Sequence, residues 1–296
     1  MNAQEVLEYT DRSYRHNAVV DVSRLSMKKR LKLETKIPEL IEYLLDFRKY
    51  FDARQTNVPD YPVGFCKDIT DSAFENLRRE ECIKAMQKDG LIFKKIWGIY
   101  EGIFQNAMQL GHLFINVAGD TANPETVSSR VVRLEDSGFK QIQTYEDYLT
   151  TTRDYWKFDA VPNYVFPFIS LVNPFIFTYG DEAFFFTQHQ GPLLSKDIRA
   201  NFTDAESTVR RLSGKTLTHQ QLECLVNNIQ PEVQNLYKNN PETQKYLSFY
   251  FEPHAPEEME RMFGIAKQLW KTDESTPGRM YMMAHGIFKN KLFKLL

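Results

Sequence analysis

The 296-residue sequence predicts an α+β fold, because its patterns come in blocks rather than in alternation. Helical spacing of apolar residues fills roughly the first ninety positions. Strand-like runs rich in Phe, Ile and Val follow between Leu91 and Thr187. Helical spacing returns beyond Gly191-Pro192. The expected arrangement is a set of N-terminal helices, a helix headed by Cys66 packed on a mainly antiparallel sheet, and a helical C-terminal region. In this reading residues 1–190 form the first domain and residues 191–296 a helical second.

Each block follows from local chemistry. Ile37, Leu40, Ile41, Leu44, Leu45 and Phe47 recur at helical spacing, with Pro38 tolerated near a helix start. Pro59, Pro62 and Gly64 mark a loop. Ile69, Ala73 and Leu77 then give a helix from Cys66 to Lys88, stopped by Asp89-Gly90. Strands are expected at 91–93, 96–100, 110–117 and 130–134, with a short one at 139–142. Three more are expected at 165–172, 175–179 and 183–187. Beyond them, 205–212, 218–228, 231–237, 242–250 and 256–271 read as helices. Thr218-His219-Gln220-Gln221 has the form of a capping box. The aromatic residues between Tyr164 and Phe186 read chiefly as core.

Composition excludes several classes of function. Lys and Arg number 37 against 39 Asp and Glu, a net charge of −2, so there is no electrostatic case for general nucleic-acid binding. The basic run Met27-Lys28-Lys29-Arg30-Leu31-Lys32 is the local exception. It reads as a solvated helix face, with a phosphate or lipid patch as the alternative. Cys66, Cys82 and Cys224 are too few and too scattered for a disulfide framework or a zinc site. Reduced thiols lead one to expect an intracellular site of action. The N-terminus lacks the pattern of a secretory signal, and no apolar stretch reaches the ~20 residues of a membrane span. The Lys- and Phe-rich tail from Phe288 to Leu296 is expected to dock on the body, with a membrane surface as the alternative.

The definite chemistry lies in Tyr61-Pro62-Val63-Gly64-Phe65-Cys66 and Gly111-His112-Leu113-Phe114-Ile115-Asn116-Val117. The first delivers a thiol to a helix N-terminus, where unpaired N–H groups favour a thiolate. The second is expected to place His112 at the head of a strand, on one face with Phe114 and Asn116. A helix packed across that face would bring sulfur to imidazole, as a nucleophilic cysteine requires. A carboxylate should orient the ring. Pairing of 112–117 with 130–136 places Asp136 near His112; Asp120 is the competitor, and Asp147 a more distant option. His189 is an alternative base, and Asn57 or Gln55 an alternative oxyanion donor. Cys82 and Cys224 read as structural. The competing reading makes Cys66 a packed core residue of a protein that acts by binding.

The order Gly64-Phe65-Cys66, then His112 to Val117, then Asp136 resembles the transglutaminase-like division of the papain-like cysteine hydrolases and transferases. The resemblance covers about residues 58 to 140. Phe114 stands where that family usually carries Trp. It implies attack of a Cys66 thiolate on a protein amide, with His112 as base and Asp136 as orienter, and resolution of the thioester by water or an amine. The implied partner is a protein substrate, with no metal or organic cofactor. The helical additions and the tail also resemble bacterial effectors. That resemblance implies delivery into a host cytosol without a cleavable signal.

Overall fold

Two antiparallel sheets, each with its own helices, organise the chain, and the fold is α+β. The computed structural model describes residues 1–186, 191–239 and 253–288. Contacts divide the chain into two units, Arg15–Ile142 and Met1–Tyr14 with Gln143–Leu296. The division falls at 142/143 rather than at 190/191, because the second sheet packs with the helices that follow it.

The Arg15–Ile142 unit holds α2 (Met27–Glu34), α3 (Ile37–Asp52), α4 (Cys66–Leu77) and α5 (Glu81–Lys88), preceded by α1 (Ala3–Asn17), most of which belongs to the other unit. Then come β1 (Phe93–Tyr100), β2 (Ile103–Leu110), β3 (Leu113–Asn116) and β4 (Arg130–Arg133), a meander in the order β1-β2-β3-β4. The helix expected over 66–88 is two helices. Leu77 and Ile83 are both buried in the same core, yet on one straight helix they would point about 120° apart. A break at Arg78–Glu80 lets both reach it.

The strand expected over 110–117 also divides. Leu110 ends β2 and pairs with Leu113 of β3, so Gly111-His112 is a two-residue hairpin turn. β2 itself went unforeseen because Gln105, Asn106 and Gln109 interrupt its apolar pattern. Each is bonded: Gln105 Nε2 donates to Asn116 Oδ1 at 2.9 Å and to the Ala118 carbonyl at 3.1 Å. Gln109 accepts from Val20 N–H and donates to its carbonyl, mimicking an edge strand.

The sheet has two apolar faces. Met108, Leu110, Leu113, Ile115, Val117 and Val131 meet Leu40 and Leu44 of α3 and Ile69, Ala73 and Leu77 of α4. On the reverse face, Phe114 packs with Ile96, Tyr100 and Ala107, covered by Val19 and Phe139. Lys140 bridges to Ile99 there, close over Gly98, where no Cβ would fit beside the Lys140 carbonyl.

The other unit carries α6 (Tyr145–Trp156), then β5 (Asp159–Pro162), β6 (Phe175–Tyr179) and β7 (Glu182–Phe184), paired in that order. Helices α7 (Gly191–Arg199), α8 (Thr203–Arg211), α9 (His219–Asn239), α10 (Met259–Thr272) and α11 (Thr276–Phe288) follow. The strand expected at 165–172 is instead a buried irregular segment with a 3₁₀ turn at Pro167–Ile169. Pro167 cannot donate to a ladder, and Asn163 holds the segment by accepting from Phe166 N–H and donating to the Asn173 carbonyl. The helices expected at 218–228 and 231–237 are one, with Pro231 inside it. The Thr218/Gln221 capping box is formed at its start. The aromatic run is core: Phe175 meets Tyr145, and Phe177 and Phe186 meet Tyr148. Asp147 serves as the N3 residue of a capping box with Thr144 at the start of α6. That role accounts for its position at the head of α6.

Two carboxylates link these helices. Asp204 of α8 accepts from Tyr145 N–H at the start of α6. Asp197 of α7, 2% exposed, accepts from the Asp204 and Ala205 N–H groups at the start of α8. Burial raises the Asp197 carboxyl to about 7, against the lowering effect of those N–H bonds.

Candidate functional site

Cys66 begins α4, as the Pro62-Val63-Gly64 turn predicts. Gly64 takes φ +81°, a left-handed conformation suited to glycine, and its N–H donates to the Thr121 carbonyl at 3.1 Å. The Tyr61–Pro62 peptide is cis. The half-buried sulfur accepts from Asn106 Nδ2 at 3.4 Å, while Thr70 Oγ1 donates to the Asn106 carbonyl at 3.1 Å. One turn on, Asp71 bonds Lys95 of β1 at 2.6 Å and Lys67 at 3.0 Å. Burial works against the Asp71 charge, but these two lysines outweigh it and hold the carboxyl below its usual range. The tip of α4 is therefore fastened to the middle of β1 and β2.

A partly buried charge cluster fixes the loops around this tip. Arg48 of α3 donates bidentately to Asp120 at 2.7 and 2.8 Å, to Asp52 at 3.0 Å and to the Val117 carbonyl at 2.7 Å. Tyr61 Oη donates to Asp52, which ties the Cys66 loop to the same cluster. Burial opposes the Arg48 charge, yet its bonds to Asp120 and Asp52 prevail and raise its pKa. Burial, and then the bond to Asp52, raise that of Tyr61.

His112 lies elsewhere. Asn106 marks the position of the sulfur along β2. Leu110 is four residues further, about 13 Å of strand, and His112 sits in the turn beyond it. The imidazole is buried, with Nε2 3.0 Å from Glu34 Oε1 at the end of α2. Glu34 in turn accepts from Arg133 at 2.8 and 3.0 Å. Arg133 first, and His112 second, lower the Glu34 carboxyl to about 2. His112 Nδ1 is buried, with no hydrogen-bond partner among the described residues. Helix α4 also packs on the Leu113–Ile115–Val117 face, opposite the Phe114 face on which the sequence expectation placed the encounter.

The structure thus brings Cys66 to Asn106 and His112 to Glu34, and does not bring Cys66 to His112. Asp136 is exposed in the turn after β4. The residue opposite His112 is Leu134, whose N–H donates to the His112 carbonyl at 2.8 Å. The pairing of 112–117 with β4 is as expected, but its register is two residues tighter. Asp120 meets the early chain reversal it needed, at the 3₁₀ turn Gly119–Thr121, yet its partner is Arg48. Asn57 is exposed on its loop, and Gln55 is half-buried there. His189 lies outside the described residues, as do residues 242–250 and 289–296. Cys82 is exposed on α5, and Cys224 accepts from Asn228.

Sequence reasoning missed Glu34, Arg48 and Asn106. The usable signal for Asn106 was a polar pair, Gln105-Asn106, inside an otherwise strand-like run. Among the described residues no group of three or more His, Cys, Asp or Glu is placed to hold a metal ion, and no helix is long and apolar enough to cross a membrane. No protein-family model, curated protein or solved structure matches the chain.

Proposed function

We propose that the chain acts by binding, as an interaction protein in which Cys66 is a packed structural residue. One observation carries this reading. The two groups that a thiol mechanism needs are engaged at different places along β2, the sulfur by Asn106 and the imidazole by Glu34. A thiol without a base within hydrogen-bond reach lacks the usual means of activation. Under this reading the Arg48 cluster and the Asn106 bonds rigidify a scaffold.

The second reading is cysteine-dependent acyl transfer on a protein amide. It is favoured by the half-buried sulfur at the first turn of α4. Alkylation of the full chain by iodoacetamide near neutral pH separates the two. Under the binding reading, Cys66 reacts no faster than exposed Cys82, and His112→Ala leaves the Cys66 rate unchanged. A Cys66 rate about tenfold above that of Cys82, lost in His112→Ala, would replace it with the acyl-transfer reading.

A further inference from the structure

Helix α2 has two unlike faces. Inward, Leu33 is buried in the core and Glu34 is held by Arg133 and His112. Arg30 donates to the carbonyls of Val22 and Leu25, which fixes the preceding turn. Outward, Met27 and Leu31 are one helical turn apart, 69% and 56% exposed. Lys28 and Lys32 share this outer arc, and exposed Arg24 precedes it. Lys28 has no ion pair or hydrogen bond among the described residues. Lys32 faces Asp89 at 3.7 Å, with both side chains largely in water.

The inward groups hold the helix in place, and the outward apolar pair stands mostly in water. Large apolar side chains flanked by lysines suit a surface that is apolar below and anionic above. Methionine and leucine can enter the acyl boundary while the lysine heads stay with phosphate. An acidic protein would match the charges but would more often supply fixed carboxylates to a bidentate arginine, whereas the cations on this arc are Lys28 and Lys32, with Arg24 before it. We propose that the outer face of α2 is a contact for an anionic phospholipid surface. The proposal rests on the binding reading and names its partner.

The test is co-sedimentation of the full chain with vesicles of phosphatidylcholine alone and with about 30 mol% phosphatidylserine, at low and at about 0.5 M salt. Binding is expected only with phosphatidylserine and only at low salt. Lys28→Gln with Lys32→Gln should weaken it roughly 25-fold, about fivefold for each lysine. Met27→Ser with Leu31→Ser should weaken it while leaving the circular dichroism spectrum unchanged. No sedimentation with the anionic vesicles would overturn the proposal. So would sedimentation that both double variants retain, or retention by an immobilised poly-glutamate peptide without any by vesicles. A failure here removes the lipid assignment alone, whereas His112-dependent alkylation of Cys66 removes the binding reading itself.

Discussion

Arg48→Met is expected to lower the stability of the Arg15–Ile142 unit by about 3 kcal/mol. The Arg48 side chain is 4% exposed and that of Asp120 15%, so removal of the guanidinium leaves a largely buried carboxylate unpaired. It also strips the Val117 carbonyl of its donor. Asp52, at 40% exposed, loses less because water replaces the contact. Hydrogen exchange of peptides spanning residues 104–121 should report roughly a hundredfold loss of protection. Arg48→Lys should restore only part, because an ammonium cannot make the two-pronged bond to Asp120. Unchanged protection in Arg48→Met would mean that the cluster is not what holds the Cys66 loop.

The second large effect is one of pH. The Asp197 carboxyl is raised in the fold from an ordinary value of 3.8 to about 7. Between those values the folded state binds more protons than the unfolded chain. Stability is therefore fully present below about pH 4 and is lost as pH rises through about 7, by an amount on the order of 4 kcal/mol. Asp197→Asn keeps an oxygen to accept from Asp204 and Ala205 N–H but cannot ionise. Thermal melts should show the wild type losing stability between about pH 5 and pH 8, with the variant flatter and more stable at the alkaline end. Equal pH dependence in both proteins would place the effect on another group.

Much of the fold was legible because it rests on local pattern. The block order of helix and strand signals gives α+β. Pro62 and Gly64 place a turn directly before Cys66, and α4 does begin there. The antiparallel partner of 112–117 was legible too. Its register was not, because moving the centre of the connecting loop by one residue, from 124 to 123, exchanges Asp136 for Leu134 opposite His112. Alternation separates Phe114 and Asn116 from Leu113 and Ile115. It cannot say which side a helix covers when both sides are apolar, and α4 lies on the Leu113 side.

The candidate site failed to assemble for a different reason. Glu34 is 78 residues from His112, two positions beyond the basic run Met27–Lys32. Arg48 is 72 residues from Asp120. Polar pairing over such separations leaves no periodicity to read. A histidine after a glycine looks the same whether it heads a strand or turns a hairpin. The pairing of Leu110 with Leu113 settles it as a turn.

His112 belongs to the Glu34–Arg133 network and Cys66 to the Asn106 contact. The most direct measurement is the nuclear magnetic resonance spectrum of the His112 ring in the full chain, compared across Glu34→Gln and Cys66→Ser. The ring resonances are expected to shift in Glu34→Gln and to stay in place in Cys66→Ser. A shift in Cys66→Ser with none in Glu34→Gln would instead return the imidazole to the thiol.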